Sequence, residues 1–144
     1  MTAAVPVILG LHHVKVPVSD LARSRDWYER LLGVRLAVEF RDDDGTVRGV
    51  AYQPIGAFTL ALRERADVAA ATAGFDPFAI LVADRAAIDG WVDRLDAFGV
   101  PHTPVQRGAQ GWKVVAADPD GTEVAFYSAM PANEDLASDP ALTS

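Results

Sequence analysis

An internal repeat constrains this 144-residue chain more than any other feature of its sequence. A shift of 64 positions places Asp20 on Asp84 and Trp27 on Trp91, and six of the 19 positions in the range 13–31 are identical to their repeat partners. Self-similarity at a fixed offset indicates that one supersecondary unit occurs twice. The sequence therefore predicts two tandem modules of the same architecture.

Each module begins with a strand and a helix whose limits are marked by local signals. Apolar side chains alternate along the first strand of each copy, as a half-buried strand requires. Asp20 and Asp84 are suited to cap the helix N-termini, and Gly33 and Gly99 to end the helices. We expect three more strands after each helix, near residues 34–41, 46–53 and 57–63 and near residues 103–107, 112–117 and 122–128. The predicted fold class is α+β, with tandem βαβββ modules and the helices on the outside.

The whole range 1–144 is expected to form a single domain. Module one is assigned to residues 8–65, an Ala-rich connector to residues 66–74, and module two to residues 75–128. The remaining tail, residues 129–144, is acidic and poor in large apolar side chains. We expect this tail to be loose or to form an arm on a partner.

Composition excludes several classes of function. The chain has no cysteine, so it has no disulfide, thiolate metal site or thiol nucleophile, which fits a cytoplasmic protein. Its net charge is −7 and its basic residues are scattered, so no nucleic-acid partner is expected. Residues 1–11 lack the pattern of a signal peptide, and no apolar run reaches membrane-spanning length.

Five short motifs occur in order along the chain: His13-Val14, Asp20, Trp27-Tyr28, Leu32-Gly33 and the turn Asp118-Pro119-Asp120-Gly121. This ordered set resembles the vicinal-oxygen-chelate superfamily, which includes glyoxalase I, extradiol dioxygenases and bleomycin-binding proteins. The resemblance covers about residues 8–128. It implies that the four strands of each module form a cupped mixed sheet, and that the two cups together enclose the site.

Metal-using members of that family take four ligands from the cups, namely a His on each first strand and typically a Glu on each last strand. Carried over to this chain, these positions are His13, Ala61, Pro77 and Ala125, so a single ligand matches. A catalytic metal needs about three protein ligands. We therefore expect neither a metal ion nor another cofactor. His12 is expected to face away from His13 on the strand.

Strand alternation indicates which side chains share the His13 face and line the cups. The expected ligand-binding residues are His13, Lys15, Thr59, Ala61, Arg63, Leu81, Glu123, Ala125 and Tyr127. For each polar member the alternative is a position on a water-exposed rim, and for His13 it is a relic of the metal site or an imidazole with its hydrogen bonds satisfied in the core. No catalytic residue can be assigned, but His13 and Glu123 are candidates for general acid–base chemistry without a metal.

These observations favour a metal-independent small-molecule binding protein of the bleomycin-resistance type. The alternatives are an enzyme of the same fold (a lyase, isomerase or dioxygenase using His13 in an atypical metal or general-base site) and a dimer without a ligand. Lys15 and Arg63 favour an anionic ligand, whereas the net charge favours a cationic one; groups at contact distance should prevail. Open sheet edges and the apolar run from Val5 to Leu11 predict a homodimer.

Overall fold

The computed structural model describes residues 3–129 and shows two four-stranded sheets. The elements in chain order are β1 (Val14–Val18), α1 (Leu21–Leu32), β2 (Leu36–Arg41), β3 (Val47–Tyr52), β4 (Leu60–Glu64), α2 (Ala66–Thr72), β5 (Ala79–Val82), α3 (Arg85–Ala97), β6 (Gln106–Gly108), β7 (Gly111–Ala117) and β8 (Glu123–Ser128). The sheet orders are β1-β4-β3-β2 and β5-β8-β7-β6. In each sheet the first strand runs parallel to the last, and the other pairs are antiparallel. The predicted α+β class of two mixed-sheet modules is confirmed.

The two long helices begin and end where their capping residues predict. The Asp20 side chain accepts a hydrogen bond of 3.0 Å from the Arg23 N–H, and Gly33 ends α1 with a φ of 67°. Asp84 caps α3 in the same way, and Gly99 after it has a φ of 66°. Glycine reaches this left-handed region without the steric cost that a Cβ brings. Within residues 3–129, no helix is long and apolar enough to cross a membrane.

Two segments differ from the expected pattern. Residues 66–74, interpreted as a connector, contain the short helix α2, whose seven residues include four alanines; alanine is the best helix former. β6 is shorter than expected because Pro101 and Pro104 carry no N–H to donate to a neighbouring strand. Between them, the Thr103 N–H donates to the β7 backbone over 2.9 Å. Apart from Ala129, the expected acidic tail lies outside the described residues.

A single apolar core contains side chains from both modules. Val16 and Leu62 enter it from the first sheet, Val124 and Phe126 enter it from the second, and all four are at most 1% exposed. The Trp91 ring stacks on Phe126 at 4.4 Å between centroids. These residues have the strand parity opposite to that of the expected ligand-binding residues, so the His13 parity is free to form a site.

The modules are also joined by hydrogen bonds from Ser19 and α1 to the turn that connects β7 to β8. The Tyr28 hydroxyl donates to Asp118 Oδ2 over 2.7 Å. The backbone N–H of Ser19 donates to Asp120 Oδ2 over 3.0 Å, and its hydroxyl donates to the same carboxylate. Since Ser19 and Tyr28 belong to module one and the turn to module two, these bonds fix the relative position of the modules.

Candidate functional site

The first sheet carries a cleft of about 670 Å³, here called cleft one. Its lining residues all come from module one and α2: His12, His13, Lys15, Pro17, Phe40, Gly49, Val50, Ala51, Thr59, Ala61, Leu62, Arg63, Arg65 and Val68. A volume of this size is in the range of about 300–1,000 Å³ that is usual for small-molecule sites.

The strand register explains why the floor of cleft one is open. Lys15 on β1 lies opposite Ala61 on β4, and Ala61 lies opposite Ala51 on β3. In the next row, Arg63 lies opposite Gly49. A Cβ added to Gly49 would come within 3.4 Å of Arg63 Cδ and 3.7 Å of its Nη1, so the arginine side chain lies across the glycine. Small residues in the middle of the sheet thus leave the volume that the cleft occupies.

Two histidines lie next to one another at the end of cleft one. The Nδ1 atoms of His12 and His13 are 3.0 Å apart, and both rings are exposed. The expectation that His12 faces away from His13 is wrong. β1 begins at Val14, so the alternation of a strand does not extend to these two residues.

The structure distributes seven of the nine predicted ligand-binding residues over two clefts. His13, Lys15, Thr59, Ala61 and Arg63 line cleft one. A second cleft of about 480 Å³, cleft two, lies on the second sheet; its lining residues are Asp76, Phe78, Ala79, Ile80, Leu81, Gln110, Tyr127, Ser128 and Ala129.

The last two predicted residues line neither cleft. Ala125 is fully buried at the centre of the second sheet, opposite Ala79. The Glu123 N–H donates to the carbonyl oxygen of Phe75 over 2.9 Å. The two candidates for acid–base chemistry, His13 and Glu123, therefore do not share a cleft among the described residues.

The donor atoms do not fit the metal ion that metal-using relatives of this fold hold. The positions equivalent to the ligands beside His13 carry Ala61, Pro77 and Ala125, and none of these side chains has a donor atom. Within residues 3–129, no group of three or more His, Asp or Glu side chains is placed to hold an ion. One imidazole does not supply the three protein ligands that a catalytic metal needs.

Sequence reasoning missed the side chains that β2, β3 and α2 add to cleft one. Phe40, Gly49 and Ala51 follow from the pairing of three antiparallel strands, which the Asp-rich turn at residues 42–45 could have indicated. Arg65 lies at the start of α2, a helix that was not predicted. No sequence signal places this residue, because its position depends on how α2 packs against β1.

One family model matches the chain, and solved structures have a similar fold. The family model described as "Glyoxalase/Bleomycin resistance protein/Dioxygenase superfamily" matches residues 10–126. No curated protein matches the chain.

Solved structures share this fold over most of their length. A glyoxylase/bleomycin resistance protein/dioxygenase domain from Frankia sp. EAN1pec is 25% identical, with a TM-score of 0.68 over 86% of this chain and 100% of that one. The antibiotic binding protein TnmS3 from Streptomyces sp. CB03234 is 23% identical, with a TM-score of 0.69 over 87% and 99%. The fosfomycin resistance protein FosX from Listeria monocytogenes is 15% identical, with a TM-score of 0.68 over 86% and 96%. At such identities the likeness shows a common fold.

Proposed function

Because the chain belongs to the glyoxalase/bleomycin resistance protein/dioxygenase superfamily, we propose that it binds an organic small molecule in cleft one without a metal ion. One observation carries the proposal. The position that would provide a metal ligand on β4 is Ala61, and this alanine forms part of the floor of a cleft large enough for a ligand. The missing donor thus leaves ligand-sized space where a metal would be held.

Binding without chemistry would make the protein a sequestering protein of the bleomycin-resistance type. An antibiotic binding protein and a fosfomycin resistance protein have the same fold, which supports this proposal at the level of architecture. Function on a shared fold must still be argued from the site. We place the protein in the cytoplasm, since a chain without cysteine has no disulfides to gain from an oxidising compartment.

We further propose that the protein is a homodimer in which a second copy closes cleft one. All lining residues of the cleft come from module one and α2, and Phe40 at its edge is 48% exposed. The N-terminal segment exposes Val7 at 86% and Leu9 at 99%, and apolar surface in such quantity favours association. Light scattering at micromolar concentration should give twice the monomer mass, and Leu9→Asp should shift it toward the monomer. A wild-type monomer would contradict this part of the proposal.

A ligand screen by thermal shift tests the site directly. A small molecule that binds the folded protein raises its melting temperature by mass action. Ala61→Phe fills the floor of cleft one and should abolish the shift, whereas the matched variant Ala79→Phe fills cleft two and should leave it intact. Thr59→Trp, at a less buried position of the same cleft, replaces Ala61→Phe if that variant does not fold. Loss of binding in Ala79→Phe alone would assign the ligand to cleft two.

Metal analysis separates this proposal from an enzyme of the same fold. We expect purified protein to contain far less than one equivalent of zinc, iron, manganese or nickel, and EDTA to leave its melting temperature unchanged. A near-stoichiometric metal would overturn metal independence. Turnover of a bound ligand that disappears in His13→Ala would instead establish the enzyme alternative, with His13 as its base.

A further inference from the structure

The charged side chains that line cleft one are all basic. Lys15, Arg63 and Arg65 reach it together with His12 and His13, and no aspartate or glutamate is among its lining residues. The whole chain has a net charge of −7, so the cleft is a local positive region on an acidic protein. A bound ligand responds mainly to charges at contact distance, since solvent and salt screen the distant ones.

The three cations differ in how far their charge is already compensated. Nη2 of Arg63 lies 3.2 Å from the Asp42 carboxylate, and Nη2 of Arg65 lies 3.0 Å from that of Asp67. Lys15 forms no ion pair with any residue in the range 3–129. Its ammonium group is therefore the charge in cleft one that is most available to a ligand.

Apart from Thr59 and the two histidines, the rest of the lining of cleft one is apolar. Pro17, Phe40 and Val68 contribute to its walls, and Ala51 and Ala61 form its floor beside Lys15. A polar ligand would leave this apolar surface without apolar contacts. A neutral apolar ligand would leave the lysine without a counter-charge. A molecule with an aromatic or aliphatic body and one negative group satisfies both parts of the lining.

We propose that cleft one selects an organic anion with an apolar, preferably aromatic, body, and that Lys15 is the residue that determines this selectivity. The inference rests on the proposed function, because it names the ligand class of the same cleft. Arg63 and Arg65 contribute less to this selectivity, because the carboxylates of Asp42 and Asp67 already compensate their charges.

Three probes that share a naphthalene body test the ligand class: 1-naphthoate, the neutral 1-naphthamide and the cationic 1-naphthylmethylammonium. Isothermal titration at low ionic strength should show naphthoate binding about tenfold more tightly than either of the others, as expected for one charge-assisted contact. Lys15→Met keeps the apolar stem and removes the charge, so it should reduce this preference to about twofold or less. Arg35→Met removes an exposed cation outside the cleft, and it should leave the preference unchanged.

The possible failures are distinguishable. If the three probes bind wild type equally, or if naphthoate keeps its preference in Lys15→Met, the ligand class is overturned while binding in cleft one stands. If no probe binds, or if Ala61→Phe binds naphthoate as tightly as wild type, both the ligand class and the proposed site are overturned. Equal loss of the preference in Lys15→Met and Arg35→Met would show an effect of net charge alone and would also refute the role of Lys15.

Discussion

Removal of the Tyr28 hydroxyl should destabilise the protein by breaking a buried bond between its two modules. Tyr28 is fully buried, and its hydroxyl donates over 2.7 Å to Asp118, which is 5% exposed. The other carboxylate oxygen of Asp118 accepts the backbone N–H groups of Asp120 and Thr122 over 2.9 and 3.0 Å. In Tyr28→Phe the turn therefore keeps its own bonds, and only the bond from Tyr28 to Asp118 is lost.

The size of the effect follows from the kind of bond. A hydrogen bond to a buried carboxylate contributes about 1.5–3 kcal/mol, and its loss leaves Asp118 Oδ2 without that donor. At this chain length 1 kcal/mol corresponds to about 3 °C, so Tyr28→Phe should melt about 5–10 °C below wild type. Chemical denaturation followed by circular dichroism measures the same loss as a lower midpoint with an unchanged slope.

Tyr52 provides the matched control. It is 1% exposed, and its buried hydroxyl has no hydrogen-bond partner among residues 3–129; Arg25 lies near it but outside hydrogen-bonding geometry. Tyr52→Phe should therefore change the free energy of unfolding by about 0.5 kcal/mol or less, or stabilise the protein. Equal destabilisation by the two substitutions would refute the reasoning. So would a coupling energy near zero in a double-mutant cycle of Tyr28→Phe with Asp118→Ala, which removes the acceptor.

Three further outcomes are expected. Gly111→Ala should destabilise the protein by about 1–3 kcal/mol in denaturant melts, because the new Cβ would lie 2.2 Å from a backbone oxygen of β8. Gly90→Ala is the control, since Gly90 lies on an open face of α3, and it should be neutral or stabilising. Hydrogen bonds to the Thr103 carbonyl and to Asp96 raise the pKa of His102 above 6.5. Wild type should therefore lose less than about 1 kcal/mol of stability as pH rises from 6 through that pKa. His102→Gln should flatten this pH dependence, and an unchanged profile in the variant would contradict the role of His102. Burial raises the pKa of Tyr28 well above its ordinary 10.0, so wild type should lose stability above pH 10 as the unfolded tyrosine ionises, and Tyr28→Phe should lose less.

Local chemistry made the framework of the fold predictable. The helix limits depend on side chains within a few residues, such as Asp20 for the N-terminus of α1 and Gly33 for its end, and the structure has both caps. Alternation alone predicts which side chains of β1 face the core: Val16 is buried, whereas its neighbour Lys15 is exposed. Such features can be predicted from the sequence, because the hydrogen bonds and the periodicity involved lie within one helix or strand.

The candidate site was only partly predictable, because a cleft is formed by elements distant in sequence. Residues on β1 and β4 were identified from parity, but Phe40 and Ala51 required the register of the hairpin between β2 and β3. His12 was misplaced because strand periodicity was extended past the strand's true start at Val14. Arg65 depended on the packing of α2, for which the sequence offers only a high alanine content.

The internal repeat is kept on the core face of the two sheets but not on the cup face. On the core face, Val16 and its repeat partner Ile80 are both apolar and both pack in the core. On the cup face, the repeat partner of Lys15 is Ala79, and the partner of Arg63 is Tyr127. The equivalent register of the strands, Lys15 opposite Ala61 and Ala79 opposite Ala125, shows that these positions correspond in space as well as in sequence. Substitution on the core face costs packing energy, whereas substitution on the cup face changes what the cup can bind. The cup positions of module one thus carry positive charge without cost to the core, and for this reason we propose that they, rather than the fold, determine ligand selectivity.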